Sequence, residues 1–190
     1  QKSLLGDNLV FFDFKNHLYT PLVYLKSSKM KIKISPVCLN EGEKDFVNML
    51  ADYANAHEKD FADKSLFLLR NKSKVGMGFF EAGNFYPDFI LWIDTPQKQY
   101  ITFIDPKGLL NVPKEDPKIE FRNTIKNLEQ RLASSAGDKS IVLNSFIMSS
   151  TKAADLKERW AISIPECEER NVYTLDNKLC VEKMIGKILS

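Results

Sequence analysis

Two aspartates and a lysine near the middle of the chain have the types and spacing needed for chemistry. Asp88 stands directly before one apolar run, and Asp105 and Lys107 follow the next run. Two carboxylates that face each other repel, and burial makes the repulsion worse. A chain keeps such a pair when a cation lies between them, and a hard divalent ion such as Mg²⁺ fits, with Mn²⁺ as the expected substitute. These residues therefore predict a magnesium site, provided that the fold brings them together.

A β-hairpin would bring them together. Residues 89–93 and 100–104 are rich in β-branched and aromatic side chains, and the residues between them favour a turn. If Asp94 faces Gln99 across a four-residue loop, the two aspartates face each other at the far end of the hairpin. Side chains alternate between the faces of a strand, so the lysine projects on the same side as the second aspartate.

Both faces of the predicted hairpin are apolar. The face that carries the aspartates has an apolar floor made of Ile90, Trp92, Ile101 and Phe103. The opposite face carries Phe89, Leu91, Ile93, Tyr100 and Ile104. Both faces must then be covered, which is typical of an α/β sheet with helices on both sides.

The segment 40–57 predicts a helix whose apolar stripe contains Phe46, Val47 and Leu50. Glu43 falls in the middle of this stripe, where a carboxylate is costly unless it has a partner. We therefore expect Glu43 to point towards the acidic pair, with the stripe packed on the apolar floor. The alternative is a first-turn glutamate favoured by the helix dipole, and the pattern leaves both interpretations open.

A second helix is predicted from Asp116 onwards, with proline at its first position. Lys118, Arg122 and Lys126 form a basic stripe beside its apolar face, which favours contacts with nucleic-acid phosphates. A solvated helix face is the more common meaning of such a stripe.

Two other segments are also basic. Residues 29–34 alternate lysine with apolar residues, which favours a solvated strand face over a phosphate-binding one, and residues 70–74 are interpreted as a basic loop. Further strands are predicted at 65–69, 141–148 and 172–175, and further helices at 153–160, 166–171 and 178–189.

Composition sets the broad class. The 190 residues suit one domain with a small appendage, and Ser35-Pro36 predicts a boundary between a β-rich appendage or linker, residues 1–35, and a main domain, residues 36–190. A net charge of +2 permits nucleic-acid binding without arguing for it. Because the chain starts with Gln1, we expect a fragment with partner domains outside it.

Cysteine usage and hydropathy narrow the setting. Three widely spaced cysteines without a CxxC motif suggest reduced thiols in a cytoplasmic protein. Two histidines make a histidine-rich zinc site a poor expectation. No apolar run approaches the roughly 20 residues of a membrane span, so no membrane partner is expected.

Pro87-Asp88 followed by Asp105-x-Lys107 is similar to the PD-(D/E)xK arrangement of metal-dependent nucleases. The predicted order of elements resembles the restriction-endonuclease-like core, a mixed sheet with helices on both faces. From residue 36 to the end, the chain resembles the C-terminal nuclease region of type III restriction enzyme subunits and related DEAD/DEAH-type helicase proteins. The strings that carry this resemblance are LLRN (68–71), GFFEAGNFYPDFILW (78–92), FIDPKG (103–108), LNSFIM (143–148) and ERNV (169–172).

The resemblance implies a Mg²⁺-dependent endonuclease that hydrolyses phosphodiester bonds, with DNA the expected substrate. It implies that Asp88 and Asp105 bind the metal, that Lys107 helps catalysis and that Glu43 completes the metal shell. Many relatives have Glu where this chain has Asp105, and Pro106 lacks the N–H that a central strand needs. The expected partners are nucleic acid and a helicase or ATPase region of the same or a partner chain, in a restriction or defence protein. The alternatives are a catalytically inactive nuclease fold that binds nucleic acid, and a module that docks within a larger helicase complex.

Overall fold

The computed structural model describes residues 9–11, 22–26, 38–72, 76–79, 83–133 and 139–190. The alternating segment 29–34 and the proposed boundary at Ser35-Pro36 lie outside these residues.

The N-terminal part contributes two short strands, β1 (Leu9–Phe11) and β2 (Val23–Leu25), which pair antiparallel. Leu39 N donates to Val23 O at 2.8 Å, and Leu22 is buried in the main core. The described part of the predicted appendage is therefore in contact with the main domain.

Five strands form the central sheet in the order β3-β4-β5-β6-β7. Strands β3 to β5 are antiparallel, whereas β5, β6 and β7 are parallel, so the sheet is mixed as predicted. The five strands are β3 (Ser65–Arg70), β4 (Phe89–Asp94), β5 (Lys98–Lys107), β6 (Ser140–Ser149) and β7 (Val172–Thr174).

The predicted hairpin and its register are confirmed. Asp94 pairs with Gln99, and Ile90 pairs with Phe103. The β4 ladder ends at Ile104, so Pro106 lies beyond it, and on that side of β5 the ladder needs no N–H from the proline.

Helices cover both faces of the sheet, which confirms the α/β class. The helices α1 and α5 lie on the face that carries Phe89, here called the Phe89 face. The helix α2 covers the opposite face, the Ile90 face, and α3 and α4 pack on that side beside Ile147. Their bounds are α1 (Glu41–Ala56), α2 (Pro117–Ala133), α3 (Ala153–Trp160), α4 (Ile164–Glu169) and α5 (Cys180–Leu189).

The prediction that α1 packs on the apolar floor is wrong. The α1 stripe packs on the Phe89 face, where the Phe46 and Phe89 rings are 5.5 Å apart. The apolar floor is covered instead by Phe121 and Ile125 of α2. Both hairpin faces are apolar, so alternation alone gave no reason for α1 to cover one rather than the other. The two faces differ in solvent exposure, since Trp92 on the apolar floor is partly exposed.

The first half of β6 has no neighbouring strand on its outer side in the described structure, because β7 pairs only from Ile147 onwards. Two α2 side chains occupy that edge instead. Lys126 Nζ donates to Leu143 O at 2.6 Å, and Leu143 N donates to Glu129 Oε2 at 2.6 Å. One residue pair on the helix thus satisfies both backbone groups of an edge residue.

Among the residues described, no helix is both long and apolar enough to cross a membrane.

Candidate active site

Asp88 and Asp105 meet at the end of the sheet, as predicted. Asp105 lies on β5 on the same face as Phe103, Asp88 directly precedes β4, and their carboxyl groups are hydrogen-bonded to each other. Asn71 fixes the approach to Asp88, because its N–H donates to Asp88 O and its side-chain Nδ2 donates to Pro87 O, both at 2.8 Å. The backbone around one carboxylate is therefore held by the end of β3.

Burial and mutual repulsion favour a proton held between the two carboxyl groups. Burial raises the pKa of Asp88 to about 8, and the charges of Asp105 and Glu43 push it in the same direction. Burial also raises the pKa of Asp105, against the opposing charges of Lys107 and Lys118. The hydrogen bond favours a protonated Asp88 beside an ionised Asp105.

Lys107 is on the same side as the acidic pair, which confirms the prediction. Its Nζ lies 3.8 Å from Asp105 Oδ2, and its side chain is about one quarter exposed. The segment after the lysine is fixed by two bonds to the end of β6: Ser150 N donates to Lys107 O at 3.0 Å, and Leu109 N donates to Thr151 Oγ1 at 2.8 Å.

Glu43 lies close enough to the pair for its charge to act on both aspartates. Burial raises the pKa of Glu43, while the hydrogen bond from Asn40 and the charge of Arg70 lower it. Glu43 also has a local role in α1. Asn40 N donates to Glu43 Oε2 at 2.8 Å and Glu43 N donates to Asn40 Oδ1 at 2.9 Å, a capping box. Both interpretations of this residue thus apply.

The described residues contain no group of three or more Asp, Glu, His or Cys side chains placed to hold a metal ion. Glu43 therefore does not form a three-carboxylate cage with Asp88 and Asp105. The pair alone still suits Mg²⁺, which is commonly held by one or two carboxylates, with waters and substrate phosphates as its other ligands. A buried Asp105 and a half-buried Asp88, both with raised pKa, are a donor set that a divalent cation would occupy in place of a proton.

Of the three residues in the predicted basic stripe, Lys118 lies near the acidic pair, whereas Arg122 and Lys126 make other contacts. Lys118 acts electrostatically on Asp105, and its Nζ lies 5.9 Å from the centre of the Phe85 ring. Arg122 is bonded to Glu120 at 2.8 Å. Lys126 occupies the β6 edge. Only the first residue of the stripe is near the acidic pair.

Sequence reasoning missed Arg70, which was assigned to a basic loop. Arg70 instead ends β3, is 9 % exposed, and donates from Nη2 to Glu43 Oε2 at 3.2 Å. A signal was present, since Leu66, Leu68 and Arg70 alternate in phase and the first two are buried. The strand pattern therefore places the arginine at the next inward position.

No family model, curated protein or solved structure matches the chain. The fold and site themselves define an α/β domain with a mixed five-stranded sheet, at whose end two carboxyl groups, a lysine and a buried arginine–glutamate pair are gathered.

Proposed function

We propose that this domain is a Mg²⁺-dependent nuclease that hydrolyses phosphodiester bonds. The supporting observation is the hydrogen-bonded carboxyl pair Asp88–Asp105 at a strand end, with Lys107 Nζ 3.8 Å from Asp105. Two carboxyl groups can hold a metal ion, and the ammonium group of Lys107 lies beside them. This combination suits a negatively charged substrate whose own oxygens complete the metal coordination. DNA as substrate, and a helicase-linked restriction or defence protein as context, follow from the sequence resemblance and belong to the same proposal.

Asp88 and Asp105 would hold the ion. When bound, Mg²⁺ supplies polarisation of the phosphoryl oxygen and a bound water of lowered pKa. In the hydrolysis, the water oxygen forms a bond to phosphorus as the water gives up a proton, the phosphorus–oxygen bond to the leaving sugar breaks, and the leaving oxygen takes up a proton.

Lys107 would place its ammonium group where negative charge develops on the phosphate. Its partial burial makes that charge more effective than it would be in bulk water, and its ion pair with Asp105 keeps it in position. Lys118 would add affinity for the substrate backbone, since phosphate contacts position nucleic acid without reading its sequence.

The test is a Mg²⁺-dependent cleavage assay on duplex, single-stranded and branched DNA, alongside calorimetric Mn²⁺ titrations. Asp88→Asn and Asp105→Asn should lose both metal binding and cleavage, because each removes a ligand charge. Lys107→Met should keep the metal and lose at least about 100-fold in cleavage rate, the usual effect of a stabilising charge. Cleavage by Asp88→Asn at the wild-type rate would contradict the proposal.

Two exposed residues serve as matched controls: Asp155→Asn on α3 and Lys178→Met before α5 change the same residue types away from the site. Metal binding and DNA binding without cleavage would instead support the alternative of an inactive nuclease fold. Absence of both would favour a docking module.

A further inference from the structure

Arg70 has a buried hydrogen-bond donor with no partner. Its Nη2 donates to Glu43 Oε2 at 3.2 Å and to Cys38 O at 3.3 Å. Its Nη1 is buried and makes no hydrogen bond to any residue that the structure describes. The side chain is 9 % exposed, so bulk water does not readily satisfy this nitrogen.

This arrangement differs from the usual arginine–carboxylate pair. A guanidinium commonly grips a carboxylate with two parallel N–H donors. Here Arg70 makes one bond to the Glu43 carboxylate, at Oε2, and the same oxygen also accepts from the Asn40 N–H. Arg70 is therefore held through one nitrogen, and its second nitrogen is left for another acceptor, which is unusual for a buried donor.

The candidate acceptor is Asp88, at the same end of the sheet. Arg70 is the Cα partner of Phe89 and projects on the Phe89 face, whereas Asp88 lies in a bend directly before β4, so strand alternation does not fix its side chain on the opposite face. The next residue, Asn71, donates its N–H to Asp88 O at 2.8 Å. The positive charge of Arg70 acts on the Asp88 carboxyl, in opposition to burial and to the charge of Asp105.

We propose that Arg70 is a positioning residue of the metal site: Nη2 holds Glu43, and Nη1 receives the Asp88 carboxylate when that group turns from Asp105 to a cation. Glu43 then serves the site by holding Arg70 in place, and it is not a third metal ligand. This inference rests on the proposed function, because it assumes that the pair takes up a divalent ion.

Two observations separate this role from direct ligation by Glu43. Glu43 is not grouped with the two aspartates in a way that could hold an ion among them. Its Oε2 is already engaged twice, by the helix cap and by the guanidinium. Partners that orient a metal ligand typically change metal affinity 10–100-fold when they are removed, whereas the loss of one of two charged ligands costs more.

The experiment measures Mn²⁺ affinity by titration calorimetry, independently of cleavage. Arg70→Gln should weaken Mn²⁺ binding about 10–100-fold. Arg70→Lys should recover part of this loss, because it restores the charge but cannot bond two carboxylates in a fixed fork. Glu43→Gln should weaken Mn²⁺ binding no more than Arg70→Gln does, because glutamine can keep both the capping box and the bond to Arg70.

Asp88→Asn provides the reference for loss of a true ligand. If Glu43→Gln weakens Mn²⁺ binding as much as Asp88→Asn does, Glu43 is a ligand and the inference is overturned. Wild-type affinity in Arg70→Gln, or an Arg70→Lys variant no better than Arg70→Gln, would overturn it as well. Failure of the wild type to bind Mn²⁺ would overturn the proposed function together with this inference.

Arg70→Gln leaves Glu43 as a buried charge without its partner, which can prevent folding. The double variant Arg70→Gln/Glu43→Gln removes both charges and is measured alongside, with its fold checked by circular dichroism. The inference requires the double variant to show the same 10–100-fold loss as Arg70→Gln, and wild-type affinity in it would overturn the inference.

Discussion

Between about pH 4 and pH 8, the Asp88 carboxyl is protonated in the folded chain and ionised in the unfolded chain. Burial raises its pKa from 3.8 to about 8, with repulsion from Asp105 adding to the effect. Between these two values the folded chain binds a proton that the unfolded chain has released. The metal-free fold therefore loses stability from this group as the pH rises from about 4 to about 8.

Asp88→Asn should remove most of that loss. Asparagine has nearly the same shape, can still bond to Asp105 and does not titrate, so the variant should gain stability over the wild type as the pH rises. Urea unfolding in EDTA at pH 5, 6, 7 and 8 measures the two free energies of unfolding. The Asp155→Asn control should follow the wild type, and parallel pH profiles for wild type and Asp88→Asn would contradict the expected proton sharing.

The individual site residues differed in how readily the sequence revealed them. Asp88, Asp105 and Lys107 could be placed because strand alternation and one turn fix their relative positions. Arg70 could not be recognised by residue type, and only its phase with Leu66 and Leu68 marked it as an inward position. The capping box could be predicted from Asn40 and Glu43, which are three positions apart. The sequence did not show that the same Glu43 carboxylate also accepts a hydrogen bond from Arg70.

At the scale of elements, the basic residues of α2 have two different roles, although the sequence predicted a single stripe that contacts phosphates. Lys118 belongs to its first turn and acts on Asp105, whereas Lys126 binds the β6 edge. The helical period gave the three basic residues a common face, but the partners of each depend on the strand ends beneath it. The same limitation explains the misplacement of α1, since the hairpin register was fixed locally and the choice of face was not.

Lys118→Met should weaken DNA binding. It should also make the negative slope of log affinity against log salt shallower by about 1, the effect of losing one phosphate contact. Lys126→Met should leave the slope unchanged and reduce stability instead, because Glu129 loses its ion pair. Fluorescence anisotropy from 50 to 200 mM KCl, on an Asp88→Asn background to prevent cleavage, measures both. Equal slopes for the two variants would contradict the division of the stripe.

At the scale of the whole molecule, the proposed metal site couples ligand binding to folding. The site gathers side chains from α1, β3, β5 and α2, together with Asp88 before β4, so it exists only when the sheet and both covering layers are assembled. An ion that binds only the folded chain stabilises it by mass action.

Saturating Mg²⁺ should therefore raise the melting temperature of the wild type. At about 100 times the dissociation constant the gain is about 2.7 kcal/mol, which corresponds to roughly 5–10 °C for a chain of this size. Asp88→Asn and Asp105→Asn should show no such shift in differential scanning calorimetry, and NaCl at matched ionic strength is the control. A Mg²⁺ shift in both variants equal to that of the wild type would place the ion elsewhere.

The Lys126–Glu129 pair at the β6 edge has a consequence for the behaviour of the chain among its own copies. An open edge strand offers its backbone groups to any other strand, and two molecules can then join into a continuous sheet. By occupying the N–H and C=O of Leu143, the pair removes one attachment point from the strand half that β7 leaves uncovered. Crowded copies of the domain should accordingly resist edge-to-edge aggregation at this strand, which is a matter of colloidal behaviour and not of catalysis.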